Sequence, residues 1–158
     1  MWLTRRHLLS LALALPATAA RATSLPARPP GPIALAGFDP VSYFLGAPEA
    51  GYAAFEAAWA GRTWRFARAA NRQAFQSDPV RYAPRLGGFD PIGILAGRLV
   101  DTAPSIFACL PDGEGLARLY LLRNLEHRAR LLAEPALADQ AERRWPDLRD
   151  QIERDFPD

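Results

Sequence analysis

Few residues in this chain carry chemistry, and their types and spacing argue against a catalytic set. The chain has one cysteine, Cys109, and two histidines, His7 and His127. A serine, threonine or cysteine nucleophile needs an adjoining base. Ser42, Ser77 and Ser105 fall in turn contexts, and His127 sits between Glu126 and Arg128 on an Arg-rich stretch that reads as an exposed helix face with no partner nearby in sequence. The chain has no G-x-S-x-G elbow, Walker A loop, H-E-x-x-H pair or dinucleotide fingerprint, and Gly87-Gly88 is too short to cradle a phosphate. No catalytic residue is assigned, and the expectation is a protein that is not an enzyme.

Two carboxylates remain. Gly37-Phe38-Asp39-Pro40 is followed by Val41, and Gly88-Phe89-Asp90-Pro91 by Ile92. Asp-Pro starts turns, with the carboxylate capping the backbone two residues on. Asp39 and Asp90 could instead meet to hold a hard cation, although two carboxylates make a poor cage without backbone help. The two tetrapeptides fit an internal repeat and also fit turn chemistry arising twice. Cys109, in Ile106-Phe107-Ala108-Cys109-Leu110, reads as a small buried hydrophobe, with a reactive thiol as the alternative. A lone cysteine permits no intramolecular disulfide and no CxxC metal knuckle.

These residues need a scaffold. Phe55, Ala57 and Trp59 alternate with Glu56 and Ala58; after Ala60-Gly61, Trp64 and Phe66 alternate with Thr63 and Arg65. That pattern predicts a β-hairpin with an aromatic inner face. Tyr43, Trp59, Trp64 and Phe66, with Phe44, would either line a pocket for a small apolar ligand or make the core. Ala69 to Phe75 predicts a helix, and Asp78-Pro79 caps a further turn containing Tyr82. Leu116 to Leu122 predicts a strand after the turn Asp112 to Gly115. Leu125 to Ala133 predicts a helix, and Pro135 begins another. That last helix carries Leu137, Ala141, Trp145, Leu148 and Ile152 as a stripe that Pro146 interrupts. Asp139 with Arg143, and Asp150 with Arg154, are expected as i,i+4 surface pairs. The expected fold class is α+β: a small antiparallel sheet built on the aromatic hairpin, packed with short helices, and a C-terminal helical segment.

Residues Met1 to Ala22 read as a cleavable signal. Arg5-Arg6 is the positive region, Leu8 to Leu15 the apolar run, and Ala17-Thr18-Ala19 and Ala20-Arg21-Ala22 the cleavage sites. The apolar run is far below the roughly 20 residues of a membrane span, so no stable anchor is expected after cleavage. Thr4 to Leu9 is similar to the twin-arginine consensus, which favours that export route over an ordinary secretory one. The expected location is the bacterial periplasm or beyond. Thr23 to Pro32, with four prolines, reads as an extended linker before a domain spanning residues 33–158. The net charge is +2, but it owes its sign to the leader. Without Arg5, Arg6 and Arg21, sixteen arginines stand against 17 acidic residues, a net charge of −1. Those arginines are interspersed with acids, which excludes a nucleic-acid footprint.

The stretch from Ala34 to Leu148 resembles the exported bacterial YHS-domain proteins. The resemblance rests on Ala36 to Phe44, Trp59 to Phe66, Asn71 to Phe75, Asp78 to Pro84, Gly87-Gly88-Phe89, Leu119-Tyr120-Leu121 and Trp145-Pro146-Asp147-Leu148. It implies a compact α+β module whose core is the hairpin and the helix after it. Metal-binding relatives place cysteines after the Asp-Pro-Val turn, directly after the second hairpin strand, and four residues later on the helix. Here those positions are Ser42, Ala67 and Asn71; a further cysteine usual in the exported branch is Asp90. None supplies the thiolate that zinc or copper would use, so no cofactor is expected. The reading is a non-catalytic periplasmic YHS-like module, degenerate in its metal site, that binds a small molecule or a periplasmic protein. The alternatives are a copper-, zinc- or iron-handling protein with a carboxylate site at Asp39 and Asp90, aided by Cys109 or His127, and an accessory subunit of an exported redox enzyme.

Overall fold

A computed structural model describes residues 31–155, apart from the side chains of residues 152, 153 and 155. The expected signal, most of the Pro-rich linker and the last three residues lie outside the described residues. Among the described residues, no helix is long and apolar enough to cross a membrane.

The fold is α+β, as expected, and runs through the same series of elements twice. Each series opens with a turn in left-handed backbone: Leu35, Ala36 and Gly37 in the first, Leu86, Gly87 and Gly88 in the second, all with positive φ. Then comes Phe-Asp-Pro and a short helical segment, Ser42–Leu45 in the first series and α3 (Pro91–Leu95) in the second. An antiparallel hairpin follows: β1 (Tyr52–Trp59) with β2 (Arg62–Phe66), and β3 (Ala103–Pro111) with β4 (Ala117–Leu122). A nine-residue helix closes each series, α1 (Ala69–Ser77) or α4 (Leu125–Ala133). Between the units lies α2 (Pro79–Tyr82), capped by Asp78 through the Arg81 N–H. The long α5 (Ala136–Asp155) ends the described chain. The repeated tetrapeptide is thus the visible part of a repeated unit.

The first hairpin forms as expected. Trp59 pairs with Arg62 across Ala60 and Gly61, both at positive φ, which is the geometry of a two-residue hairpin turn. Trp64, Phe66 and Phe75 of α1 are buried, with Phe75 centred 5.0 Å from Trp64 and 5.2 Å from Phe66. In the second unit Tyr120, Leu122 and Leu131 hold the corresponding places in a larger core completed by α3 and α5. Leu119 and Leu121 face the other way and pack with Tyr43 of the first unit. With both faces covered, β4 is a continuous buried run from Leu119 to Leu122. The Tyr43 hydroxyl donates to the Pro104 carbonyl at 2.7 Å, which fastens the first unit to the second hairpin.

α5 departs from its expected course in two ways. It runs unbroken through Pro146. Proline removes one N–H and strands one carbonyl, but Pro146 is on the exposed face, where water can satisfy that carbonyl. The expected i,i+4 pairs are also replaced. Asp139 accepts from Arg118 of β4 at 3.0 Å, and Asp150 pairs with its neighbour Arg149. Glu142, one turn after Asp139, gathers Arg85, Arg118 and the Tyr120 hydroxyl, tying α5 to the second left-handed turn and to β4. Burial alone would raise the Glu142 carboxyl, but the hydrogen bonds from Arg85 and Tyr120 hold it below the ordinary carboxylate range.

Candidate functional site

Asp39 and Asp90 do the same work in the two units. Asp39 is fully buried. Its Oδ1 accepts from the Val41 N–H at 2.8 Å, and its Oδ2 from the Ala67 N–H at 2.9 Å and the Asn71 amide at 2.6 Å. The Ser42 hydroxyl donates to the Asp39 carbonyl at 2.6 Å and accepts from the Glu49 N–H. One carboxylate therefore holds the turn, the exit of β2 and the first turn of α1 together. Asp90, also fully buried, accepts from Ile92 and Gly93 on Oδ1, from the Arg123 N–H at 2.7 Å on Oδ2, and lies 3.0 Å from His127 Nδ1. Ala67 and Arg123 each follow the second strand of their hairpin, and Asn71 and His127 each stand four residues later.

The expected capping of the backbone two residues on is present at both aspartates. Each carboxylate has its own set of donors, and the two sets share no residue. N–H groups point at both oxygens of each, so a cation there would have to displace them. Among the described residues, no three His, Cys, Asp or Glu side chains come together in a group that could hold a metal ion.

His127 departs from its expected place. It is not a partnerless surface residue: Asp90 fixes its ring, and its side chain is only 25% exposed. The partner lies 37 residues away, so proximity in sequence could not have found it. The one signal was positional, since His127 follows its strand by the same spacing as Asn71. Cys109 lies half-buried on β3, its Sγ 3.9 Å from the Tyr43 carbonyl, and burial pushes its thiol up, away from the reactive thiolate.

The four aromatic residues expected to make one pocket divide. Phe66 and Tyr43 are core, 0% and 2% exposed, and they belong to different clusters. Trp59, and the edge of the buried Trp64, also line a cleft of about 590 Å³ between the two units. Both left-handed turns face it, through Leu35 and Ala36 on one side and Gly87 and Gly88 on the other, with Leu121 also in the wall. Arg62, Asp101 and Thr102 bring polar groups to it, and the Thr102 hydroxyl donates to the Gly88 carbonyl at 2.8 Å. The turns leave little trace in the sequence, because Leu35, Ala36 and Leu86 are not residues that favour positive φ. The signal was the extent of the repeat, Leu35-Ala36-Gly37 against Leu86-Gly87-Gly88. Comparison with protein-family models, with curated proteins and with solved structures finds no match for this chain.

Proposed function

We propose that this chain is a non-catalytic, exported binding module of the YHS-like type, built from two units, that takes a small, largely apolar ligand in the cleft between them. The cleft carries this reading. Its volume falls within the roughly 300–1,000 Å³ of small-molecule sites, and it joins an apolar wall to a few polar groups, as such sites do. The YHS-like assignment draws support from Ser42, Ala67 and Asn71, the three positions where metal-binding relatives carry cysteines. They gather around Asp39 and offer a hydroxyl, a backbone N–H and a carboxamide. A hydrogen-bonded carboxylate thus stands where thiolates would hold a metal.

The test is titration of the mature protein with phenylnaphthylamine, a neutral apolar fluorophore. Saturable binding at one site is expected. Leu35→Asn removes an apolar wall while suiting the left-handed backbone at that position, and should weaken binding about tenfold. Trp59→Ala should weaken it at least as much. Absence of binding, or equal binding by wild type and Leu35→Asn, would contradict the cleft as the ligand seat.

A further inference from the structure

The second unit differs from the first at the positions around its aspartate, and the difference opens a cavity. Ser42, Ala67 and Asn71 correspond to Gly93, Arg123 and His127. Those three residues line a pocket of about 530 Å³ between the segment around α3 and the junction of β4 with α4. Arg98 and Arg130 complete its cationic wall, and no Asp or Glu lines it. Elsewhere, Arg65, Arg68, Arg85, Arg118 and Arg149 pair with carboxylates. Arg98, Arg123 and Arg130 have no such partner, as is also true of Arg62, Arg72, Arg81, Arg128, Arg143, Arg144 and Arg154 among the described residues; what sets the three apart is that they line one cavity. The carboxylate bonded to His127 in the pocket wall, Asp90, is buried with both oxygens occupied by the Ile92, Gly93 and Arg123 N–H groups and by His127. It cannot turn to neutralise the arginines. It does commit His127 Nδ1, which leaves Nε2 as the ring atom available to a ligand.

From this we infer that the pocket binds an anion bearing phosphoryl groups. Guanidinium groups match phosphoryl oxygens in a two-pronged geometry. Three from separate segments around one cavity provide a seat for more than a single charge, and the volume admits a diphosphate or a phosphorylated small molecule. The site is separate from the apolar cleft and stands whether or not that cleft takes a ligand. A free phosphorylated molecule and a phospholipid headgroup present the same chemistry.

Calorimetry with pyrophosphate and co-sedimentation with phosphatidylglycerol vesicles, against phosphatidylcholine vesicles, separate these sources. At about 0.15 M salt, charges beyond roughly 8 Å are screened, so distant arginines contribute little. Binding of pyrophosphate, weakened about tenfold or more by Arg123→Ala and unchanged by Arg143→Ala on the exposed face of α5, is the expected result. Binding to phosphatidylglycerol alone, with the same response to the two variants, assigns the headgroup as the source. His127→Asn rebuilds in the second unit the amide–carboxylate bond of Asn71 and Asp39, so it should fold normally and still weaken binding severalfold. No binding of either probe, or equal losses in Arg123→Ala and Arg143→Ala, would overturn the inference.

Discussion

The two units use one locking device with opposite surroundings. In the first, Asp39 meets a buried carboxamide, Asn71, and aromatic side chains fill the space between hairpin and helix. In the second, Asp90 meets a part-exposed imidazole, His127, and the space beside it is an open basic pocket. The shared part is what folding needs: a carboxylate that joins a turn, a strand exit and a helix start. The differing part lies one side chain further out, where function can change without loosening the fold.

That comparison can be broken in several ways. The largest effects should come from the equivalent core positions on the closing helices. Phe75→Ala should cost about 4 kcal/mol and Leu131→Ala about 3 kcal/mol, measured by urea unfolding. The next should come from the aspartates. Asp39→Ala strands the buried Asn71 amide along with two backbone N–H groups, so a loss of about 3 kcal/mol is expected. Asp90→Ala strands three backbone N–H groups instead of two, but its part-exposed side-chain partner His127 can turn to water, so its loss should be about 1 kcal/mol smaller. Equal losses would mean that the two partners are not distinguished by burial.

Glu142 of α5 bonds only to the second unit, and its contribution should depend on acid. Its carboxyl is held below its ordinary value of 4.5 in the folded state. The stabilisation is therefore full above about pH 4.5 and is lost as pH falls through the lower folded value. Glu142→Gln should cost about 1–2 kcal/mol at pH 7. Its unfolding midpoint should converge with that of wild type below pH 4; a constant gap across that range would contradict the assignment. The smallest effect concerns the turns. Ala36 holds a φ of 50°, where the second unit has Gly87. Ala36→Gly should raise stability by up to about 1 kcal/mol in thermal unfolding, since glycine relieves the left-handed strain at some entropic cost.

The first unit was far more legible in the sequence than the second. Alternating aromatics around Ala60-Gly61 announce β1 and β2, because Phe55, Ala57, Trp59, Trp64 and Phe66 share one face that packs with Phe75 in the aromatic core. β3 gave no such alternation. Pro104 and Pro111 sit at its ends, and its pairing is interrupted between Ala103 and Phe107. Asp90-Pro91 reads as the start of a turn, and Pro91 is the first residue of α3. On α5, the i,i+4 rule gave way to tertiary contact, since Arg118 of β4 reaches Asp139. The locks were half visible. Capping of Val41 and Ile92 follows from local turn chemistry, whereas the bonds to Ala67, Asn71, Arg123 and His127 span 28 to 37 residues and leave no local trace.

On the proposed reading, the hydrogen-bonded carboxylate of Asp39 stands where metal-binding YHS-domain proteins carry thiolates. Elemental analysis of the purified protein tests this most directly. Copper, zinc and iron at well under one atom per chain, in wild type and Asp39→Asn alike, is the expected result. One bound metal per chain that disappears in Asp39→Asn would contradict the claim.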